Sequence, residues 1–459
     1  MSVPYFSVVY HTVMLNFIDN VLCHFESCFS RKASFRWFVA ITIGLMLRSD
    51  KLGVTSVIRD LALSPHCYGS MIHFFRASSW SLDTIRERWF SAVKKFSPLY
   101  KEGNFFVLVG DGVKQSKEGR RMPGVKKLFQ ESENSAKPEY IHGHMFGGLG
   151  ILAGSVRSWA CIPLSIRLHD GLQAAREWKG ASVSASSHVV QMVEDAYHAA
   201  KTFGDCLLLL DRYFLTVPAL ETLAALNRSG AVRMEIVTKA KQSCTAFEKP
   251  GSRKPGRGRP PKKGSAVHLK ELFVSRRSLF LETQMELYGK KETIRYYSID
   301  LLWGQKLYQE LRFVLVEMGG IQSILASTSL ELDPLSIIRL YGYRFRIECT
   351  FRELKQQIGA FCYHFWSKHM PKLNYYHKRG EAGSLEQVAD EKGRNNILKA
   401  VRATEMHMAL SCVAIGILQS LSIHFAGELE SSHLRYQRTP ARGRVSEAAL
   451  MQYLRKYFF

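Results

Sequence analysis

Phe105-Phe106-Val107-Leu108-Val109-Gly110-Asp111 is an unbroken apolar run that stops at a glycine and a carboxylate. A strand covered by helices on both faces reads this way, whereas a strand with one wet face alternates apolar and polar residues. A second such run, Cys206-Leu207-Leu208-Leu209-Leu210, ends directly on Asp211. Around these runs, glycine-spaced strands are expected at Tyr140–Ala153 and Ala160–Leu168, and a further strand at Arg233–Lys239. Helices are expected near Ser187–Thr202 and Val217–Asn227. Strands alternating with helices in this order predict an α/β fold, a mixed sheet with helices packed on its faces. Carboxylates at the carboxyl ends of core strands stand where open sheets place their active sites. A single aspartate after a strand is as readily a turn former or a helix cap. Two in one domain call for a third acid.

That acid is sought on a long helix. Asp333-Pro334 is an N-cap residue followed by proline in the first turn, and Gly359 is placed to stop the helix after about Gln357. At about 100° per residue from Tyr341, Arg344 falls near 300°, Lys355 near 320° and Glu348 near 340°. Leu340, Ile347, Phe351, Leu354 and Ile358 fill the adjacent apolar sector, and Glu353 falls on the opposite side, facing solvent. Glu348 is therefore the third acid, on the charged edge of the buried stripe. The alternative is an amphipathic helix whose charged edge is only solvated.

Tyr341-x2-Arg344-x3-Glu348-x6-Lys355 is the YREK signature of bacterial transposases of the insertion-sequence-four type, and the surrounding YGYRFRIECTFRELK resembles theirs. ILASTS at Ile324–Ser329 and ALSCVAIGILQ at Ala409–Gln419 also look like elements of that family. The resemblance runs from about residue 105 to 425 in the order Asp, Asp, Glu, with a β-rich insertion before the Glu. Two departures stand out. Gly112 follows the first Asp where many relatives carry Thr or Ser, and Phe345 follows Arg344 where some carry Trp. The resemblance implies a ribonuclease-H-like catalytic domain and cut-and-paste cleavage and strand transfer by Asp111, Asp211 and Glu348. These three would bind two divalent ions, Mg²⁺ with Mn²⁺ as substitute. It further implies phosphate positioning by Tyr341, Arg344 and Lys355, terminal inverted repeats and target DNA as partners, and a homodimer on paired ends. Trp303 and Phe345 are candidates to stack on an unstacked end base, with core packing as the alternative.

Composition agrees with a nucleic-acid partner. The chain has 459 residues, 46% of them hydrophobic, and 63 Lys and Arg against 40 Asp and Glu, a net charge of +23. An acidic membrane surface would also attract such an excess. Lys114–Lys127 carries Arg120, Arg121, Lys126 and Lys127, and the non-folding stretch Lys249–Lys263 contains Gly256-Arg257-Gly258-Arg259-Pro260. The latter resembles an AT-hook core, which inserts arginines into a narrow minor groove; plain phosphate contact is the other reading. The nine cysteines lack zinc or disulfide spacing and are expected to be reduced and mostly buried. No secretory leader is evident at the N-terminus. Met406–Phe425 has membrane-like length, but His407, Gln419 and its serines favour a buried core helix. Localisation is expected to be cytoplasmic and nucleoid-associated.

The domain organisation expected is an N-terminal helical, DNA-end-binding domain at 1–98 and a catalytic domain at 99–239 and 329–425. A β-rich insertion at 240–328 and a basic tail at 426–459 complete it. Val54–Leu63 and Tyr68–Arg76 around Ser64-Pro65 have helix–turn–helix punctuation, which an ordinary bundle would share. The competing functions are a catalytically silent repeat-binding regulator and a ribonuclease-H-like nuclease without strand transfer.

Overall fold

The apolar run at Phe105 becomes strand β2 (Phe105–Ser116), which carries the chain from one of its two compact units into the other. The computed structural model describes residues 5–458 apart from 52, 78, 131–137, 156–157, 173–174, 176–177, 179–186, 252–259, 288, 375–384 and 426–444. One unit comprises residues 101–111 and 192–346; the other comprises 1–100, 112–191 and 347–459.

In the unit of residues 101–111 and 192–346, β1 (Lys101–Glu102) pairs antiparallel with the start of β2. The first half of β2 pairs parallel with β6 (Cys206–Leu209), and β6 pairs parallel with β7 (Met234–Ala240). All four residues of β6 are buried, as a central parallel strand with helices on both faces requires. The sheet continues antiparallel through β13 (Ile321–Ser327), β12 (Gln309–Met318) and β11 (Lys290–Trp303). Three strands absent from the sequence reading extend its far edge. They are β8 (Thr245–Phe247), β9 (Ala266–His268) and β10 (Leu281–Leu287). Helix α7 (Val217–Ser229) starts at Thr216, whose hydroxyl accepts the Ala219 N–H. Helix α8 (Pro334–Tyr343) starts at Asp333, which caps Ser336 N–H as expected.

The other unit holds the N-terminal helices α1 (Tyr5–Cys23), α2 (Lys32–Leu47), α3 (Thr55–Asp60), α4 (Cys67–Arg76) and α5 (Leu82–Phe96). It also holds β3 (Lys126–Phe129) and the hairpin of β4 (Tyr140–Ser155) and β5 (Ser158–Leu168). Its centre is α10 (Glu391–His424), capped by Asp390 and buried almost continuously from Met406 to Ser422. A helix that is apolar all round belongs in a core. It is long and apolar enough to cross a membrane, yet 89% of its apolar window is buried inside the protein. Trp89 of α5 packs on Gly416 of this helix, and its indole N–H donates to Pro163 O at 2.8 Å. Helix α6 (His188–Phe203) begins in this unit, and α11 (Glu447–Phe458) ends it. The chain thus builds the expected α/β, ribonuclease-H-like mixed sheet with flanking helices.

Three local expectations need correction. Strand β2 runs past Asp111 to Ser116 and does not stop at the glycines. Beyond Asp111 its neighbour is β4, with Lys117 N–H donating to His142 O at 2.9 Å. The long helix after Asp333 is interrupted at Arg344-Phe345 and resumes as α9 (Arg346–Glu353), followed by a π turn at Leu354–Ile358. Only four of the nine cysteines are buried: Cys28, Cys161, Cys206 and Cys412.

Candidate active site

Strand pairing brings Asp111 and Asp211 together. The register of β2 and β6 sets Phe106 beside Cys206 and Val109 beside Leu209. The two aspartates therefore hold equivalent positions just beyond the paired residues, on strands about 4.8 Å apart. Asp211 has an extended backbone (φ −76°, ψ 165°) before a 3-10 turn at Arg212–Phe214, and its carboxylate takes no part in capping that turn. Its carbonyl is what holds the loop, accepting Thr238 Oγ1 at 2.9 Å and Phe214 N–H at 3.0 Å.

Asp111 lies between two glycines, and each has a packing reason. A Cβ at Gly110 would come within 2.7 Å of Met192 Sδ and 2.8 Å of Leu210. A Cβ at Gly112 would come within 2.8 Å of both His188 Nε2 and Met145 Cε. His188 is itself fixed by a ring hydrogen bond, Nδ1 to Nδ1 of His169 at 2.8 Å. This explains why the residue after Asp111 is neither Thr nor Ser. The histidine pair carried no sequence signal, since its members lie on separate elements.

Arg344 is an ionic partner of Asp111. It caps α8, its N–H bonding Tyr341 O in a tight i−3 turn, and Nη1 donates to Asp111 Oδ2 at 3.0 Å. Both side chains are largely withdrawn from water, 14% and 20% exposed. The helix interruption begins at this residue. Because the helix breaks there, before Glu348, and later widens to a π turn, the angular reading from Tyr341 extends to neither Glu348 nor Lys355. Lys355 lies on the π turn with its ammonium 5.6 Å from the Phe361 ring. The apolar stripe is buried as expected, at Leu340, Ile347, Phe351, Leu354 and Ile358. Glu353 does not face solvent freely: its side chain is 14% exposed and accepts Arg352 Nε at 3.1 Å. Glu348 and Tyr341 are half-buried, and Phe345 is 50% exposed.

A family model described as DDE superfamily endonuclease matches residues 24–286, more than half of the chain, and spans both aspartates. The chain belongs to the DDE superfamily of endonucleases. No curated protein matches it in sequence comparison. The superfamily generally uses divalent metals, and membership implies a DNA substrate. Two in-register carboxylates, one already facing a cationic side chain, offer the hard oxygens that such ions take. Among the described residues, no three His, Cys, Asp or Glu side chains gather into a metal-sized cluster.

The other residues expected to meet DNA in this endonuclease are scattered. Arg120 and Arg121 are exposed, but Arg121 donates to Lys368 O and Met370 O at 2.8 and 3.0 Å. Lys126 is paired with Asp170 at 2.5 Å, and Lys127 lies over the Tyr140 ring at 4.4 Å. Trp303 packs against the core of Phe273 and Phe313, the second of its two readings. Arg257 and Arg259 lie outside the described residues. Lys117, read as part of a basic DNA-facing run, is buried and donates to Phe361 O and Tyr363 O at 2.6 and 3.0 Å. Burial pulls its ammonium down to about 8. His144 is structural, bonded to Tyr363 Oη and Pro123 O, and burial lowers it to about 3.

Proposed function

We propose that this endonuclease is a cut-and-paste transposase of the insertion-sequence-four type. In this reading it cleaves the terminal repeats of its element and joins them to target DNA as a homodimer. The single observation that carries this reading is the shared register of Asp111 and Asp211, each two residues past the end of the parallel pairing of β2 and β6. The Tyr341-x2-Arg344-x3-Glu348-x6-Lys355 spacing nominates Glu348 as the third acid, although the matched family span ends before it.

Asp111, Asp211 and Glu348 would hold two divalent ions, Mg²⁺ or in its place Mn²⁺. Such ions, when bound, polarise the phosphodiester and favour ionisation of the attacking oxygen. Thr238 fixes the backbone of Asp211, and the glycines beside Asp111 keep close neighbours on both sides of it. Arg344 balances Asp111 and would face the phosphate beside the scissile bond. Tyr341 and Lys355 would hold further phosphate oxygens, and the exposed Phe345 is suited to stack on an unpaired end base.

The test is a duplex carrying the repeats that flank the gene, incubated with the protein in Mg²⁺ and a supercoiled target. Transposition predicts 3′-hydroxyl ends that become covalently joined to the target. Cleaved ends without joined product would mark a nuclease without strand transfer, and binding without cleavage a silent regulator.

A further inference from the structure

We infer that a basic groove among the N-terminal helices and α10 binds the phosphate backbone of DNA, with Trp80, Lys399 and Arg402 as its contacts. This rests on the reading of the protein as one that acts on DNA, and adds a site outside the acids and the YREK segment. The groove, about 1170 Å³, lies within one unit. Five cationic side chains line it, Arg76, Arg86, Arg167, Lys399 and Arg402, against two acids, Asp83 and Glu405. Both acids are engaged by Arg86, at 3.1 and 3.2 Å. The groove therefore keeps a net charge of about +3 after its internal pairing.

Two donors point to what fills it. Trp80 is 4% exposed, and its indole N–H has no acceptor among the described residues. Arg402 stacks its guanidinium 4.5 Å from the centre of the Trp80 ring and donates Nη2 to Trp80 O, yet its buried Nε–H also has no acceptor among the described residues. Buried donors in native proteins are nearly always bonded, so an acceptor is missing here. Because both groups only donate, the partner is an acceptor, and the surrounding charge makes it an anion. The first turn of α5 opens on the same groove through Ser81, Leu82 and Asp83. A helix N-terminus adds unpaired N–H groups and partial positive charge.

Several features favour a polymer over a small anion. The cations arrive from four elements, α4, α5, β5 and α10, and are spread along an open groove. Arg76 ends the second helix of the α3–α4 pair, the segment with helix–turn–helix punctuation. Contacts of this kind read phosphate and not base, so the site would position DNA without selecting its sequence.

The test measures DNA binding of the full chain in EDTA by fluorescence anisotropy, on a repeat-bearing and an unrelated duplex, across a range of salt. Lys399 is exposed, so Lys399→Gln should fold as the parent does, and thermal unfolding checks this. It should weaken both duplexes about 3- to 10-fold and reduce the slope of log K against log salt by about 1. Trp80→Phe keeps an aromatic ring but removes the indole N–H together with the five-membered ring that carries it, so its thermal unfolding is measured as well. It should weaken binding about 3-fold with the slope unchanged. Wild-type affinity and slope in both variants would overturn the groove while leaving the proposed function intact. A wild-type protein that binds neither duplex would overturn both. Inorganic phosphate or a nucleoside triphosphate that quenches Trp80 without competing with DNA would also overturn it, by making the groove a small-anion site.

Discussion

Replacing Arg344 with alanine removes the positive charge that faces Asp111 at 3.0 Å. Loss of one partner from a buried ion pair costs about 3–5 kcal/mol. Water reaches 20% of the Asp111 side chain, which lowers the expected loss to about 2–3 kcal/mol. If Asp111 is a metal ligand, a divalent ion supplies the missing charge at the same carboxylate. Denaturant unfolding in EDTA should then show the full loss, and in saturating Mg²⁺ less than about 1 kcal/mol of it. The variant no longer needs to displace Arg344, so its affinity for Mg²⁺ should rise about 30- to 150-fold, the same 2–3 kcal/mol read by titration. Cleavage should nonetheless fall, because the guanidinium is absent when phosphate is bound. Equal stabilisation of both proteins by Mg²⁺ would refute the assignment of Asp111 as a ligand. Wild-type cleavage by Arg344→Ala would refute the positioning role.

Further outcomes follow from the same geometry. His144 and His407 are buried, and burial lowers both to about 3, with Arg48 and Lys117 adding to the effect at His407. Their folded values lie below the unfolded value, so their neutral forms favour folding above about pH 6.5 and this stability is lost as pH falls towards 3. Each should cost about 1.4 kcal/mol per pH unit in that window, so urea midpoints should drop between pH 6.5 and 5.5, and less steeply in His407→Gln. Gly112→Ala should destabilise by about 1–3 kcal/mol through the clash with His188, and the double variant with His188→Ala should recover at least about 0.5 kcal/mol of it in a thermodynamic cycle. Thr238→Val should cost about 1 kcal/mol and slow cleavage, measured as single-turnover nicking, because the Asp211 loop loses its tether.

What was legible in the sequence depended on how local its cause was. The runs at Phe105 and Cys206 predicted buried strands because a strand covered on both faces has no polar side to display. Asp333-Pro334 and Gly359 marked helix ends because capping and left-handed backbone (φ 60° at Gly359) are decided within a few residues. Gly342 precedes the interruption at Arg344-Phe345, but a lone glycine is also tolerated inside an unbroken helix, and Asp111, which Arg344 bonds, is 233 residues away. Glycines around Asp111 looked like punctuation, whereas they make room for Met192, Leu210 and His188 in a strand that continues. Lys117 looked like a DNA contact because charge is visible in a sequence and burial is not. Strands β8 and β9 have three residues each, and β10 is mostly exposed and polar, so neither length nor periodicity exposed them. The apolar runs before Asp111 and Asp211 were readable as strands, whereas the histidine pair and the Arg344 contact required the fold.

On the proposed function, Asp111, Asp211 and Glu348 act as one metal-dependent unit. This is tested most directly by nicking of a repeat-bearing duplex in Mg²⁺ by Asp111→Ala, Asp211→Ala and Glu348→Ala, with Glu353→Gln as control. The account predicts that the three alanine variants bind the duplex within about 3-fold of the parent, since carboxylates contribute no phosphate contacts, and produce no nicks. Glu353→Gln should cleave at the parental rate. Nicking by Glu348→Ala at the parental rate would contradict the account.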